Sequence, residues 1–208
     1  FNIKDGKDIG QRQVYDGNFT PWWLNHPLQQ DRLILFEPEN ANIYTWAEFK
    51  GLRTSAGIKL QSAHSPSTWI DRLVRMRAFA TQDGQRIVTE WSTGDRGKST
   101  QTSYWDTTDF NTESEIALEA GNWNNLVLNS VVGIYRNQAV FLDRDLWLCS
   151  STCSRNGDTI RHFYMPMDWL NTTESRLSLM TRSGEFVYAK HGEVIIVKCG
   201  MRSNQGSV

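Results

Sequence analysis

Residues 131–150 read VVGIYRNQAVFLDRDLWLCS, and this stretch decides the fold. Residues 131–135 are an apolar, β-branched run, and Arg136-Asn137 is suited to a tight hairpin turn. Residues 139–142 form a second apolar run, Asp143-Arg144 turns again, and residues 146–149 make a third. β-branched and aromatic residues suit a pleated, half-buried surface, and Asn, Asp and Arg supply polar turns. The stretch predicts three consecutive antiparallel strands.

The same design recurs elsewhere in the chain. LILF-EPENAN-IYTW at 33–46, RAFA-TQDGQ-RIVTEW at 77–91 and LSLM-TRSG-EFVYAKHGEVIIVK at 177–198 each place a polar turn between two apolar runs. Asp83-Gly84 is a strong hairpin signal, because glycine accepts positive φ. Aligned on these turns, the second strands fall near residues 44, 88, 140 and 186, spaced 88−44=44, 140−88=52 and 186−140=46. A recurrence every 40 to 50 residues, each unit a strand meander, marks β-propeller blades. Short strands with frequent turns also describe a β-sandwich, but fourfold recurrence favours blades. No amphipathic helix of three turns interrupts the pattern.

The lines VFLDRDLWLCS at 140–150, IRHFYMPMDWL at 160–170 and GEFVYAKHGEVIIVK at 184–198 carry a resemblance. Together they resemble the C-terminal end of fungal NACHT-type signalling proteins. Those are large NTPases of the NOD-like, vegetative-incompatibility class that carry WD-repeat or quinoprotein-like propellers. The run from Trp23 through His26-Pro27 to IYTW is similar to their preceding blades, and the resemblance spans residues 20–198. It implies a sensing or interaction module within a longer chain, joined to other domains, and blades that are the last part of a larger ring. No P-loop, GxxxxGK[ST], lies in this sequence, so nucleotide hydrolysis does not carry over.

Bulk properties narrow the classes. The 208 residues include nine Trp, nine Phe and six Tyr, which offset a modest hydrophobic content of 39%. A net charge of −1 with scattered Lys and Arg gives no footprint for nucleic acid. No apolar stretch approaches the roughly 18 to 20 residues that span a bilayer. Phe1 opens the chain without an initiator Met or a leader, as in a processed or excised piece. Three cysteines, Cys149, Cys153 and Cys199, favour reduced thiols and a cytoplasmic setting. Asn18 and Asn171 head glycosylation triplets of the kind that arise by chance.

Motifs for chemistry are weak. Cys149-x-x-x-Cys153 with His162 and Cys199 lacks the paired ligands of structural zinc. Asp143 and Asp145 could act as paired carboxylates, but turn capping explains them better; Asp106 and Asp109 likewise read as a turn. His26 and His64 sit in loop contexts near prolines. Trp46, Trp91 and Trp147 read as blade-packing core. Trp22, Trp23, Trp105 and Trp123 lie at connectors, where packing competes with ligand stacking.

The expectation is therefore an all-β, β-propeller-like domain of about four meander blades over residues 1–198, with a polar tail at 199–208. It would be a recognition module and not an enzyme, with no cofactor or metal, binding a protein or peptide partner. If the inter-strand turns share one rim, that rim carries Glu37, Glu39, Asp83, Arg86, Arg136 and Arg182. The alternatives are a carbohydrate-active enzyme or a lectin using Trp22, Trp23 or Trp105.

Overall fold

A computed structural model of the chain describes residues 19–20, 22–37, 40–46, 58–61, 74–93, 100–111, 117–119, 128–154, 157–169, 178–190, 193–198 and 200–201. These divide between two compact units, Phe1–Asn122 and Trp123–Val208. Short strands of two to eight residues, separated by polar turns, recur through the described residues, as the repeat predicts.

In the first unit the strands are β1 (Phe19–Thr20), β2 (Trp22–Asn25), β3 (Arg32–Phe36), β4 (Asn40–Thr45), β5 (Ile58–Gln61), β6 (Val74–Ala80), β7 (Arg86–Thr93), β8 (Thr100–Asp106) and β9 (Ala117–Glu119). A turn of 3-10 helix, Thr107–Asn111, follows β8. One sheet runs β2-β3-β4-β5-β9, the other β1-β6-β7-β8. Both are antiparallel meanders extended by one parallel strand, β9 beside β5 and β1 beside β6. Those two parallel additions lack any periodic signal in the sequence.

After Arg32, strand β3 reads as unbroken apolar residues because both of its faces are covered. Ile34 and Phe36 join Ile43, Ala78, Ile87, Trp91, Trp105 and Phe110 in the main core, while Leu33 and Leu35 join Tyr44 on the reverse face. The Trp105 indole N–H donates to the Thr89 hydroxyl at 2.8 Å, so the polar end of a fully packed ring is satisfied. Phe36 meets Phe110 edge-on at 5.6 Å.

In the second unit, β10 (Leu128–Tyr135), β11 (Gln138–Asp143), β12 (Trp147–Thr152) and β13 (Thr159–Tyr164) form a four-stranded meander. β14 (Ser178–Met180), β15 (Phe186–Lys190) and β16 (Glu193–Val197) form a three-stranded one. The Arg136-Asn137 hairpin is as read from sequence. Both residues have positive φ, 47° and 62°, which is the two-residue turn whose twist matches the strands. The sheets stack through Val132, Val140, Leu142 and Leu148 on one side and Phe186 and Tyr188 on the other. Phe186 and Tyr188 stack at 6.4 Å, and Phe163 meets Phe186 edge-on at 6.0 Å.

The chain is thus all-β, built of meander sheets of the blade kind. Three expectations need correction. First, the repeat is one strand out of phase in its first copy. β2 lies alongside β6 as β10 lies alongside β14, so these four are the equivalent first strands. The counterpart of β7, β11 and β15 is therefore β3, and the strand near residue 44 is a third strand. Second, Trp46 is not core: it is 46% exposed, against 6% for Trp91. Third, the tail is not wholly polar surface, because Met201 is buried in the second core.

Candidate functional site

In each meander the first turn lies between its first two strands. Within the first unit these turns are residues 26–31 and 81–85, and they sit side by side. A Cβ added to Gly84 would stand 3.0 Å from Leu28 Cδ2 and 3.3 Å from Pro27 Cβ. Within the second unit the turns are Arg136-Asn137 and residues 181–185, again adjacent, since a Cβ on Gly184 would stand 2.5 Å from the Tyr135 ring.

Two of these turns are built alike. Thr81 and Thr181 each accept the amide of Gly84 or Gly184 at 3.0 Å through their carbonyls. Their hydroxyls accept a second amide, that of Arg86 at 2.9 Å and of Glu185 at 3.0 Å. Asp83 completes the first turn by accepting the Thr81 hydroxyl at 2.6 Å and the Gln85 amide at 3.0 Å. Those hydrogen bonds, the Thr81 hydroxyl first, hold the Asp83 carboxyl below its ordinary value.

The predicted rim residues belong to two different units. Asp83 and Arg86 lie at the first-turn end of the first unit, with Arg86 paired to Asp106 at 2.8 Å. Arg136 and Arg182 lie on the two adjacent turns of the second unit, both exposed, and Arg136 stacks over Tyr135 at 5.2 Å. Glu37 does not share that rim. It follows β3 at the opposite end of its sheet and accepts the Asn42 amide at 2.8 Å. The phase error explains this, because Glu37 belongs to a second turn. Glu39 lies outside the described residues, as do Asn18, His64, Trp123, Asn171 and Cys199.

The structure assembles something the sequence did not: an open cleft of about 530 Å³ lined by Trp22, Trp23, Leu24, Asn25, Leu33, Trp46 and Ala78. It touches all four residues of β2, the terminal strand of its sheet. Side chains alternate along a strand, so a cleft reaching four in a row runs along the strand and not over one face. Trp23 is braced edge-on by Tyr44 at 5.4 Å, and Trp22 and Leu24 lean on the main core. Trp46 is brought to the turn end of the cleft by its amide, which donates to the Asp31 carbonyl at 2.8 Å. Among the described lining residues none is charged. Trp105, grouped with Trp22 and Trp23 by sequence, is instead 2% exposed in the core.

The polar clusters are accounted for by local structure. Asp143 caps its own turn, its Oδ1 accepting the Trp147 amide at 2.9 Å, while Arg161 reaches Asp143 and Asp145 at 2.9 Å each and lies over the Trp147 ring at 5.7 Å. Asp143 and Asp145 flank a turn, as expected, whereas Asp106 closes β8 and Asp109 lies in the 3-10 helix that follows it. Burial, then the neighbouring Asp143 charge, pushes the Cys149 thiol up to about 12, the reverse of what a nucleophile needs. His162 Nε2 lies 2.8 Å from the Ser150 hydroxyl, which donates to Gln138 Oε1 at 2.9 Å. Ser150 is wholly buried, and burial lowers the His162 pKa. Among the described residues no three His, Cys, Asp or Glu side chains converge as a metal ion would require.

Comparison with known proteins adds little to this geometry. The chain matches no family model and no curated protein sequence. Among solved structures it is similar to a luciferin-regenerating enzyme, at 9% identity and a TM-score of 0.46, over 82% of this chain and 55% of that one. It is also similar to the dihydro-heme d1 dehydrogenase NirN in complex with DHE, at 11% identity and 0.44, over 88% and 35%. A third is the complex of fission yeast SREBP–SCAP binding domains, at 8% and 0.41, over 80% and 43%. The chain thus spans about half or less of the proteins it matches, and its site is read from its own residues.

Sequence reasoning missed the cleft because its walls are scattered. Trp22 and Trp23 are visible as a pair, but Trp46 looked like core and Ala78 like an anonymous strand residue. The usable signal was the phase of the first repeat. Once β3 is recognised as a second strand, Trp46 falls beside the first turn.

Proposed function

We propose that the chain is a non-catalytic recognition module that binds an uncharged, apolar segment of a protein or peptide partner, within a larger signalling protein of the NACHT type. The tryptophan cleft is the observation that carries this reading. Its volume is in the range of ligand-binding pockets, which run from roughly 300 to 1,000 Å³. Tryptophans are over-represented where binding energy concentrates, since each offers a large rigid surface at small entropic cost. Trp46 leaves nearly half of its surface open although it is anchored through its backbone. Asp83, Asp106 and Asp143 each hold their own turns, which supports a scaffold role over acid–base work.

A second reading, a lectin, draws on the same cleft. Aromatic walls with the Asn25 amide and no described charge suit the apolar face of a neutral sugar. Probing an array of short uncharged peptides and a glycan array with the chain and with Trp46→Ala separates the two. Peptide signals that Trp46→Ala abolishes support the module; glycan signals with the same sensitivity support the lectin. Signals on either array that ignore Trp46 sink both. Loss of peptide signal on Arg136→Ala and Arg182→Ala, with Trp46→Ala silent, would move the site to the second unit's turns.

A further inference from the structure

The tryptophan cleft has a narrower chemistry than its apolar lining alone suggests. Strand register fixes which of its side chains share a face. Trp23 and Asn25 of β2 stand opposite Leu35 and Leu33 of β3, and Leu33 stands opposite Tyr44 of β4. The bond from the Trp46 amide to the Asp31 carbonyl continues the β3–β4 register by one rung. Side chains alternate along a strand, so Trp46 falls on the same face as Tyr44. Trp23 and Trp46 thus lie diagonally across one face with the Leu33 rung between them. Two strand spacings across and four residues along, their backbones are about 16 Å apart.

The hydrogen-bonding groups of the lining are one-sided. An indole N–H only donates. The described lining brings three indoles and one amide, with no hydroxyl and no carboxylate. Among the described residues nothing accepts the Trp46 indole N–H, and Asn25 is exposed.

We infer that the segment this cleft takes is proline-rich and docks as a polyproline II helix, its carbonyls accepting hydrogen bonds from the Trp46 indole and the Asn25 amide. This rests on the reading of the cleft as a site for an uncharged, apolar partner segment. A proline residue carries a carbonyl but no N–H, so a proline-rich segment complements a lining of donors. Ordinary residues each bring an N–H as well, and the Asn25 side-chain oxygen is the one side-chain acceptor that the described lining offers them. Polyproline II is also preformed, which lowers the entropic cost of docking, and aromatic-lined grooves are its recurring partners. The dimensions agree. At about 3.1 Å per residue, five or six residues cover the diagonal, and the three-residue period turns two side chains towards the Leu33 floor. Strand addition is the rival mode for an extended segment. It is disfavoured because β6 already stands alongside β2, on the flank where an added strand would pair.

Isothermal titration calorimetry of the full chain with two capped, uncharged decapeptides tests this, one proline-rich and the other with every proline replaced by alanine. The proline peptide should bind about tenfold or more tighter, since it is preformed and brings few N–H groups to satisfy. Trp46→Phe keeps an apolar ring but removes the N–H, and should weaken the proline peptide about two- to tenfold, the worth of one hydrogen bond. Asn25→Asp exchanges the donor amide for a carboxylate of the same size and should weaken it at least as much. Both positions are exposed, so both variants should melt with wild type. Equal or tighter binding of the alanine peptide, lost in Trp46→Ala, overturns the proline assignment and leaves the cleft as a site for other apolar segments. Proline-peptide affinity unchanged in Trp46→Phe and Asn25→Asp overturns it too. Binding of neither peptide overturns both the inference and the reading it rests on.

Discussion

The Trp46 amide donates to the Asp31 carbonyl at 2.8 Å, and this bond brings the end of β4 to the first turn of its sheet. It leaves the indole ring 46% exposed above a cleft that Trp22 and Trp23 also wall. Backbone fixes the position, so the side chain is available for binding.

Trp46 and Trp105 should therefore behave as opposites. Trp46→Ala removes no buried contact of the core and should change stability by less than about 0.5 kcal/mol. Trp105→Ala empties a fully packed site and should cost about 3 to 5 kcal/mol. Thr89→Val, which strands the Trp105 indole N–H, should cost about 1 to 3 kcal/mol. Urea unfolding of the three variants, followed by circular dichroism, gives the order.

The two Thr-x-x-Gly turns should differ in tolerance although they are built alike. Gly84 and Gly184 have φ of 71° and 83°, so alanine at either pays about 1 to 2 kcal/mol for a left-handed backbone. At Gly84 the added methyl meets the end of the flexible Leu28 side chain at 3.0 Å, whereas at Gly184 it meets the Tyr135 ring at 2.5 Å. Gly184→Ala should lower the melting temperature clearly more than Gly84→Ala. Equal losses would mean that Tyr135 swings aside freely.

Burial holds the His162 pKa below its ordinary 6.5. Between the folded and unfolded values the unfolded chain binds the extra proton, so stability rises with pH there. The contribution is complete above 6.5 and is lost as pH falls towards the folded pKa. Unfolding midpoints of wild type and His162→Gln, compared between about pH 5 and pH 7.5, should diverge on the acid side through a steeper wild-type decline. Parallel curves would place His162 in water.

The Cys149 thiol, pushed up to about 12, should resist alkylation. At pH 8 about 10⁻⁴ of it is thiolate, against about a tenth or more of an ordinary cysteine. Iodoacetamide followed by peptide mapping should modify Cys149 only after unfolding. Rapid labelling in the native chain would contradict both its burial and its pairing with Asp143.

The meander at residues 131–150 was legible because its turns carry their own chemistry. Asn137 tolerates positive φ, and Asp143 accepts the Trp147 amide from its own side chain. Gly84 and Gly184 announced two further turns in the same way. The first copy was misphased because its true first turn, residues 26–31, has no glycine, while Glu37-Pro38-Glu39-Asn40 reads as a stronger break. Trp46 then looked equivalent to Trp91, since both close an apolar strand. What separates them is which strand lies alongside which, and that is long-range packing. The parallel strands β1 and β9 were hidden for the same reason: two or three residues carry no period. The cleft needed the correct phase and the third dimension together.

A fluorescence titration of the chain and of Trp46→Ala with the strongest peptide from the uncharged array tests whether the tryptophan cleft binds. Wild type should show a saturable change in indole emission. In Trp46→Ala the affinity should fall about tenfold or more, as expected of a tryptophan at a binding hot spot, with the melting temperature unchanged. Equal affinity in the two proteins would contradict it.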